Sequence, residues 1–368
     1  MPEQWSIRMA DSTMARFPLL AEKWDYQWGL VLKGFEQIWR ATGEHKYLEY
    51  IKHNIDAFVY DDGTIRGYRV DEYNVDRLNT GKVMFNLYAE THDEKYKRAL
   101  DLLRSQLDTH PRTPSGGLWH KQIYPNQMWL DGIYMADAFW AQYESAFTPR
   151  NSQSAIHNFD DIAYQFILIE QHTRDEKTGL LYHAWDESKQ QRWANPQTGC
   201  SQHFWGRAIG WYGMALVDVL ELMPSDHARR QDLIAILNRT MEAIARVQDA
   251  GSGVWYQLLD QGTRAGNYLE SSASCMFVYA MEKGARNKYL SQDYLTVARR
   301  AYDGIIKQFI EVDDGGQTHL TNTCRSAGLG GTPYRDGTYE YYMSEPRVTD
   351  NHHGVGAFLL ASTEIEKP

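Results

Sequence analysis

The feature that most restricts the fold is an internal repeat. A short element of glycine followed by an aromatic residue recurs along the chain. It appears at Asp62-Gly63 to Gly67-Tyr68, Gly116-Gly117-Leu118-Trp119-His120, Gly179-Leu180-Leu181-Tyr182-His183 and Gly253-Val254-Trp255-Tyr256, and less completely at Gly315-Gly316-Gln317-Thr318-His319. Successive copies lie roughly 55–75 residues apart, so a unit of about 60 residues fits the chain about six times. Each unit of such an array is a supersecondary element that buries its apolar face only against its neighbours.

The units share one internal order. A stretch with a charged face comes first, as in residues 46–58, 94–107, 159–172, 231–247 and 294–310. In the fourth of these Leu233, Ile236, Leu237, Met241, Ile244 and Val247 fall at helical spacing. A glycine-aromatic turn follows, and then a stretch rich in glycine, alanine and aromatics: residues 26–39, 75–88, 129–143, 204–222, 269–281 and 352–363. The first unit lacks the turn and has Trp5–Phe17 followed by Trp24-Asp25-Tyr26. A helix apolar nearly all round is buried, and one with a charged face lies outside. Six outer–inner pairs therefore predict two concentric rings of helices. An open array needs polar capping units, and neither terminal unit is polar, so the expectation is a closed all-α (α/α)6 barrel spanning residues 1–368 as one domain. No alternating run is long enough for a central sheet. The glycine-rich segment 326–337 is expected to overhang the mouth of the ring.

Composition narrows the partners. A net charge of -10 gives no electrostatic footprint for nucleic acid or an anionic membrane. It leaves room for a small anionic substrate, which needs only a local positive site. The 24 tyrosines and 12 tryptophans suit a carbohydrate cleft, although most belong to a core in any fold. Cys200, Cys275 and Cys324 are far apart and form no C-x-x-C, which indicates neither a disulfide framework nor a zinc knuckle. Residues 1–20 carry charges throughout and no apolar run reaches spanning length, so a reducing cytoplasm is expected. No nucleotide, metalloprotease or serine-hydrolase motif occurs, and neither metal nor cofactor is expected.

In this layout the glycine-aromatic turns and the inner-helix starts share one end of the ring. Polar residues that interrupt the apolar pattern gather there, among them Tyr26, Asp76, His120, Asp131, His183, His203, Arg207, Glu270 and His353. Asp131 sits between Trp129, Leu130, Ile133 and Met135. Apolar surroundings raise a carboxyl pKa unless a partner compensates, and a carboxyl poised near neutrality can act in turn as acid and base. An aspartate at a helix start can equally cap the helix. Asp76 can pair with Arg77, cap its helix, or face Asp131 from the neighbouring inner helix as the second of two carboxylates. Arg207, in an otherwise apolar stretch with Trp211 one turn on, reads either as half of a buried ion pair or as a clamp on a substrate walled by Trp205 and Trp211. His120 and His183 occupy equivalent places in successive units, in a turn or against a ligand.

Three segments together resemble the unsaturated rhamnogalacturonyl hydrolases of glycoside hydrolase family 105. They are Gln127-Met128-Trp129-Leu130-Asp131-Gly132-Ile133-Tyr134-Met135, Thr178-Gly179-Leu180-Leu181-Tyr182-His183-Ala184-Trp185-Asp186 and Trp205-Gly206-Arg207-Ala208-Ile209-Gly210-Trp211-Tyr212. The likeness runs from about Trp24 to the last helix. The unsaturated glucuronyl hydrolases of family 88 are related. The resemblance implies the same barrel, no metal, and removal of the unsaturated uronic acid that a polysaccharide lyase leaves at a non-reducing end. It places the catalytic aspartate on Asp131 and the supporting one on Asp76, the latter with different flanks. It places sugar contacts on Tyr26, His120, His183, Trp205, Arg207 and Trp211. Gly206 and Ala273 stand where the family pattern has alanine and glycine. Asp76 is expected to raise the pKa of Asp131 by repulsion. An inverting glycosidase acting on saturated glycosides, a sugar epimerase and a non-catalytic helical scaffold are the competing readings.

Overall fold

The charged-faced and apolar stretches alternate as helices in the computed structural model, which describes residues 4–149 and 152–367. In chain order they are α1 (Trp5–Arg16), α2 (Tyr26–Thr42), α3 (His45–Asp56), a 3-10 segment Val75–Val83 running into α4 (Met84–Thr91), and α5 (Glu94–Thr109). Next come α6 (Leu130–Phe147), α7 (Gln153–Thr173), α8 (Gly206–Leu222), α9 (Arg230–Arg246), α10 (Ser271–Arg286), α11 (Asp293–Phe309), α12 (Tyr339–Ser344) and α13 (His352–Glu366). The inner helix of the second unit is the departure from expectation, because its first half is 3-10 rather than α.

Burial divides these helices into two rings. Inner α8 is buried without interruption from Gly206 to Val217. Outer α11 buries one stripe, Ala298, Ala301, Tyr302, Gly304, Ile305 and Phe309, and leaves the opposite face partly or fully exposed. The inner elements pack in sequence, α2 on the 3-10 segment, that segment on α6, then α6 on α8, α8 on α10 and α10 on α13. The ring closes where α13 packs on α2, and α1 covers that seam from outside. The architecture is an (α/α)6 barrel.

The inner ring is tight because glycines bring backbones together. A Cβ on Gly29 of α2 would lie 2.6 Å from the Thr80 Cα, and one on Gly356 of α13 would lie 2.8 Å from Val31 N. Both contacts are with backbone, which cannot swing aside. Gly29→Ala gains helix propensity but overpacks the contact between α2 and the 3-10 segment, so the expected net result is a loss of about 1–3 kcal/mol, measurable as a lower urea midpoint.

Three two-stranded antiparallel ribbons connect the turns. The important one pairs β1 (Gln127–Trp129) with β2 (Ala184–Asp186), in the register Gln127↔Asp186 and Trp129↔Ala184. The other two pair β3 (Ile310–Val312) with β4 (Thr318–Leu320) and β5 (Thr323–Cys324) with β6 (Arg347–Val348). Among the described residues, no helix is long and apolar enough to cross a membrane. The three cysteines are free and buried.

Candidate active site

Backbone pairing at the barrel mouth assembles the site from consecutive units. Val75 N donates to His120 O and His120 N to Gln127 O, while Asn74 bridges Lys121. Leu130 N donates to His183 O. These bonds hold the starts of two inner helices, with Asp76 and Asp131 on them, against the turns that carry His120 and His183.

Much of the polar clustering read from the sequence is helix capping. Asp25 caps α2, Asn74 the 3-10 segment, Glu270 α10 and Asn351 α13, each with its side chain on a backbone N–H. Asp131 differs. Its helix begins after Trp129 with no side-chain cap, and the Asp131 carboxylate is directed into an open cleft. That cleft, of about 230 Å³, is lined by Asp25, Tyr26, Asp76, His120, Lys121, Tyr124, Trp129, Asp131 and Arg335, with Ser326 and Ala327 of the overhanging segment at its edge.

The two carboxylates have different company. Asp76 is 2.5 Å from the Lys121 ammonium and 3.5 Å from His120 Nε2. Arg77 turns instead to Glu72, 3.7 Å away. Burial alone would raise the Asp76 pKa, but Lys121, with His120 and Arg77 adding to it, carries the carboxyl below its usual range, so Asp76 is ionised at neutral pH. Asp25, in contrast, is pushed up by burial and by the charge of Asp76. Among the described residues Asp131 has no lysine or arginine partner. Its Oδ2 lies 3.2 Å from His183 Nε2, without the alignment of a hydrogen bond, and its side chain is 14% exposed. Tyr124, Trp129 and His120 form one stack beside it. The Trp129 ring is 4.5 Å from His120 and 5.1 Å from Tyr124, nearly parallel to both.

Of the residues singled out in the sequence, Asp76, Asp131, Tyr26 and His120 line this cleft, and His183, Trp205, Arg207 and Trp211 form a buried layer. His183 is held from below by the Tyr342 hydroxyl at 2.7 Å and packed against Trp205. Trp211 lies among Tyr134, Tyr26 and His353. Arg207 forms the buried ion pair of its first reading, with Nη1 left without a hydrogen-bond partner among the described residues. It faces Glu270 at 3.5 Å, donates to Ser272 Oγ at 2.8 Å and also to the Cys324 carbonyl. Helical spacing placed Arg207 and the tryptophans on the inward face but carries no depth, and all three are buried. His352 and His353, adjacent at the start of α13, point apart. His352 meets Phe17, and His353 meets the Tyr26 hydroxyl at 2.8 Å. Lys121, Tyr124, Asp25, Arg335 and Tyr342 were missed. Lys121 and Tyr124 had a signal in their closeness to His120 and Trp129, whereas Tyr342 meets His183 only through the fold. Among the described residues, no group of three or more His, Cys, Asp or Glu is arranged to hold a metal ion.

Burial lowers the His120 pKa to about 4. The unfolded value is near 6.5, so between those pH values the unfolded chain takes up a proton that the folded chain refuses. Stability should therefore fall as pH drops from about 6.5 to 4, by on the order of 3 kcal/mol for this group. Urea midpoints across that range should be less pH-dependent in His120→Gln. Asp76 acts in a lower window, because its depressed pKa contributes stability that is lost only as pH falls through the folded value.

A family model described as Glycosyl Hydrolase Family 88 matches residues 5–368. A solved glycoside hydrolase of family 105 from C. acetobutylicum is 49% identical, with 99% of each chain covered and a TM-score of 0.96. The chain belongs to the family 88 and 105 glycoside hydrolases. The unsaturated rhamnogalacturonyl hydrolase YesR of Bacillus subtilis is 26% identical to this glycoside hydrolase over 282 residues, 74% of this chain and 75% of YesR. An unsaturated glucuronyl hydrolase from Bacillus sp. GL1 shares the fold at 14% identity, with a TM-score of 0.69 over 98% of this chain and 95% of that one. The resemblance read from the Asp131, His183 and Arg207 segments thus identified the right family, and the barrel that it implied is the one observed.

Proposed function

We propose that this glycoside hydrolase removes a 4,5-unsaturated uronic acid from the non-reducing end of lyase-generated rhamnogalacturonan oligosaccharides. The observation that carries the reading is the unequal pair of carboxylates in one cleft. Asp76 is neutralised by Lys121, while Asp131 is left, among the described residues, without a lysine or arginine partner. The likeness to YesR favours rhamnogalacturonan over other uronic-acid polymers.

The substrate contains an enol ether, a C4=C5 double bond joined to the ring oxygen and conjugated to the carboxylate. Asp131 in its acid form donates a proton to C4. Positive charge develops at C5 and is shared by the ring oxygen. The Asp131 carboxylate then accepts a proton from water as that water bonds to C5. The resulting hemiketal opens between C5 and the ring oxygen, leaving a ketone at C5. The hemiacetal left at C1 releases the aglycone as an alcohol. One carboxyl thus serves as acid and base in turn. Asp76, fixed by Lys121, orients the water or the sugar hydroxyls. Tyr26 and His120 contact the sugar, His183 positions Asp131, and Trp205, Arg207 and Trp211 support these from behind.

Turnover in D2O separates this route from ordinary glycoside hydrolysis. Deuterium should appear at C4 of the released uronic acid, and the double bond should be gone. Attack of water at C1 would instead first release a uronic acid with the C4=C5 bond intact, and deuterium would reach C4 only afterwards, as that free hemiacetal opens to an enol and ketonises.

A further inference from the structure

Three basic side chains line the cleft, and they are not in equal company. Lys121 is bound to Asp76 and Arg77 faces Glu72. Arg335 has no carboxylate within salt-bridge distance among the described residues. It is nonetheless held in place. Its Nε donates to Gly330 O at 2.9 Å, and its Nη2 donates to Leu329 O at 3.1 Å and to the Tyr124 hydroxyl at 2.8 Å. The guanidinium lies 6.0 Å from the Trp129 ring centre. These bonds use Nε–H and both Nη2 hydrogens, and leave Nη1 without a protein acceptor among the described residues.

The overhanging segment is shaped around this group. A Cβ on Gly328 would fall 2.2 Å from Nη1, and one on Gly331 would fall 3.3 Å from Nη2. A guanidinium fixed on three sides and open on the fourth is a preorganised donor. It faces a cleft that already contains the carboxyl groups of Asp25, Asp76 and Asp131. An anionic sugar entering such a cleft needs one permanent positive charge that no protein carboxylate has taken. Arg207 does not supply it, because its charge is paired with Glu270 in the core, where Nε donates to Ser272, Nη2 donates to the Cys324 carbonyl, and Nη1 is buried without a hydrogen-bond partner among the described residues.

We propose that Arg335 is the specificity residue for the substrate's carboxylate, with Nη1 donating to the C6 carboxylate of the terminal unsaturated uronate. This rests on the function proposed above. The test compares an unsaturated rhamnogalacturonan disaccharide with its C6 methyl ester, in wild type, Arg335→Gln and Gly328→Ala. A charge-assisted hydrogen bond makes a difference of about 10- to 100-fold. The preference of wild type for acid over ester, as kcat/KM, should shrink by that factor in Arg335→Gln, mainly through KM. Esterification also changes the electron demand of the double bond, so the change in preference between proteins is the diagnostic quantity. Gly328→Ala should act likewise, because its Cβ displaces only the far end of the Arg335 side chain and leaves the fold intact.

If Arg335 merely holds the segment in place, both substrates lose activity equally and the preference is unchanged, which overturns the proposal. Wild type that consumes neither substrate overturns the underlying function, and that result is read from wild type alone.

Discussion

Asp131→Asn should lower kcat on the unsaturated disaccharide by roughly a thousandfold, the range lost with a general acid–base group, and leave the dissociation constant of the substrate within a few-fold. The amide matches the carboxyl in size and can still meet the His183 side of the site, but it has no proton to give to C4 and cannot take one from water. Among the described residues the side chain caps no backbone N–H and pairs with no lysine or arginine, so little stability depends on its charge. Activity should thus be lost without a matching loss in urea midpoint. Stopped assays for turnover, with calorimetry for binding, separate the two effects. Near-normal turnover by the variant would remove Asp131 from the chemistry.

Glu270→Ala should have the largest effect on stability, a loss of about 3–5 kcal/mol, the cost of leaving a buried charge without its partner. Glu270 is fully buried and accepts from Arg207, Ser272 Oγ, Ala273 N and Cys324 N. Removing it strips the cap from α10 and strands a guanidinium that is 1% exposed. Adding Arg207→Met in the same chain should recover part of the loss, because two apolar groups replace a buried pair at small cost. Denaturant unfolding of the two variants and wild type decides the matter. A loss under about 1 kcal/mol for Glu270→Ala, well below the 3–5 kcal/mol range, would contradict the placing of Arg207 as a structural ion pair.

The sequence read well where one dimension was enough. Burial in a two-ring barrel is a property of whole helices, so the absence of lysine in residues 204–222 and the charged face of residues 294–310 fixed inner and outer positions before any packing was known. Closure followed from the apolar character of residues 352–363, which become α13 and seal against α2. The 3-10 half of the second inner helix carried no such mark, because Asn79, Thr80 and Gly81 differ little in propensity from a poor α-helix.

The mouth read less well, for two reasons. Caps and ligand groups use the same residue types, and only geometry separates Asp25, Glu270 and Asn351, bonded to their own backbones, from Asp131. Depth is also absent from a periodic pattern, so Trp205, Arg207 and Trp211 were legible as inward-facing but not as buried behind His183. The pairing of Lys121 with Asp76, and of Tyr342 with His183, joins residues 45 and 159 positions apart, and nothing local marks either one.

The most direct test of the central claim follows the ultraviolet absorbance of the conjugated double bond in a lyase-made unsaturated rhamnogalacturonan disaccharide. Wild type should remove that absorbance while releasing rhamnose, and Asp131→Asn should leave it standing. Rhamnose released with the absorbance unchanged would contradict the account, because it would mean that water attacks C1 and that the unequal carboxylates of the cleft serve an ordinary glycosidase.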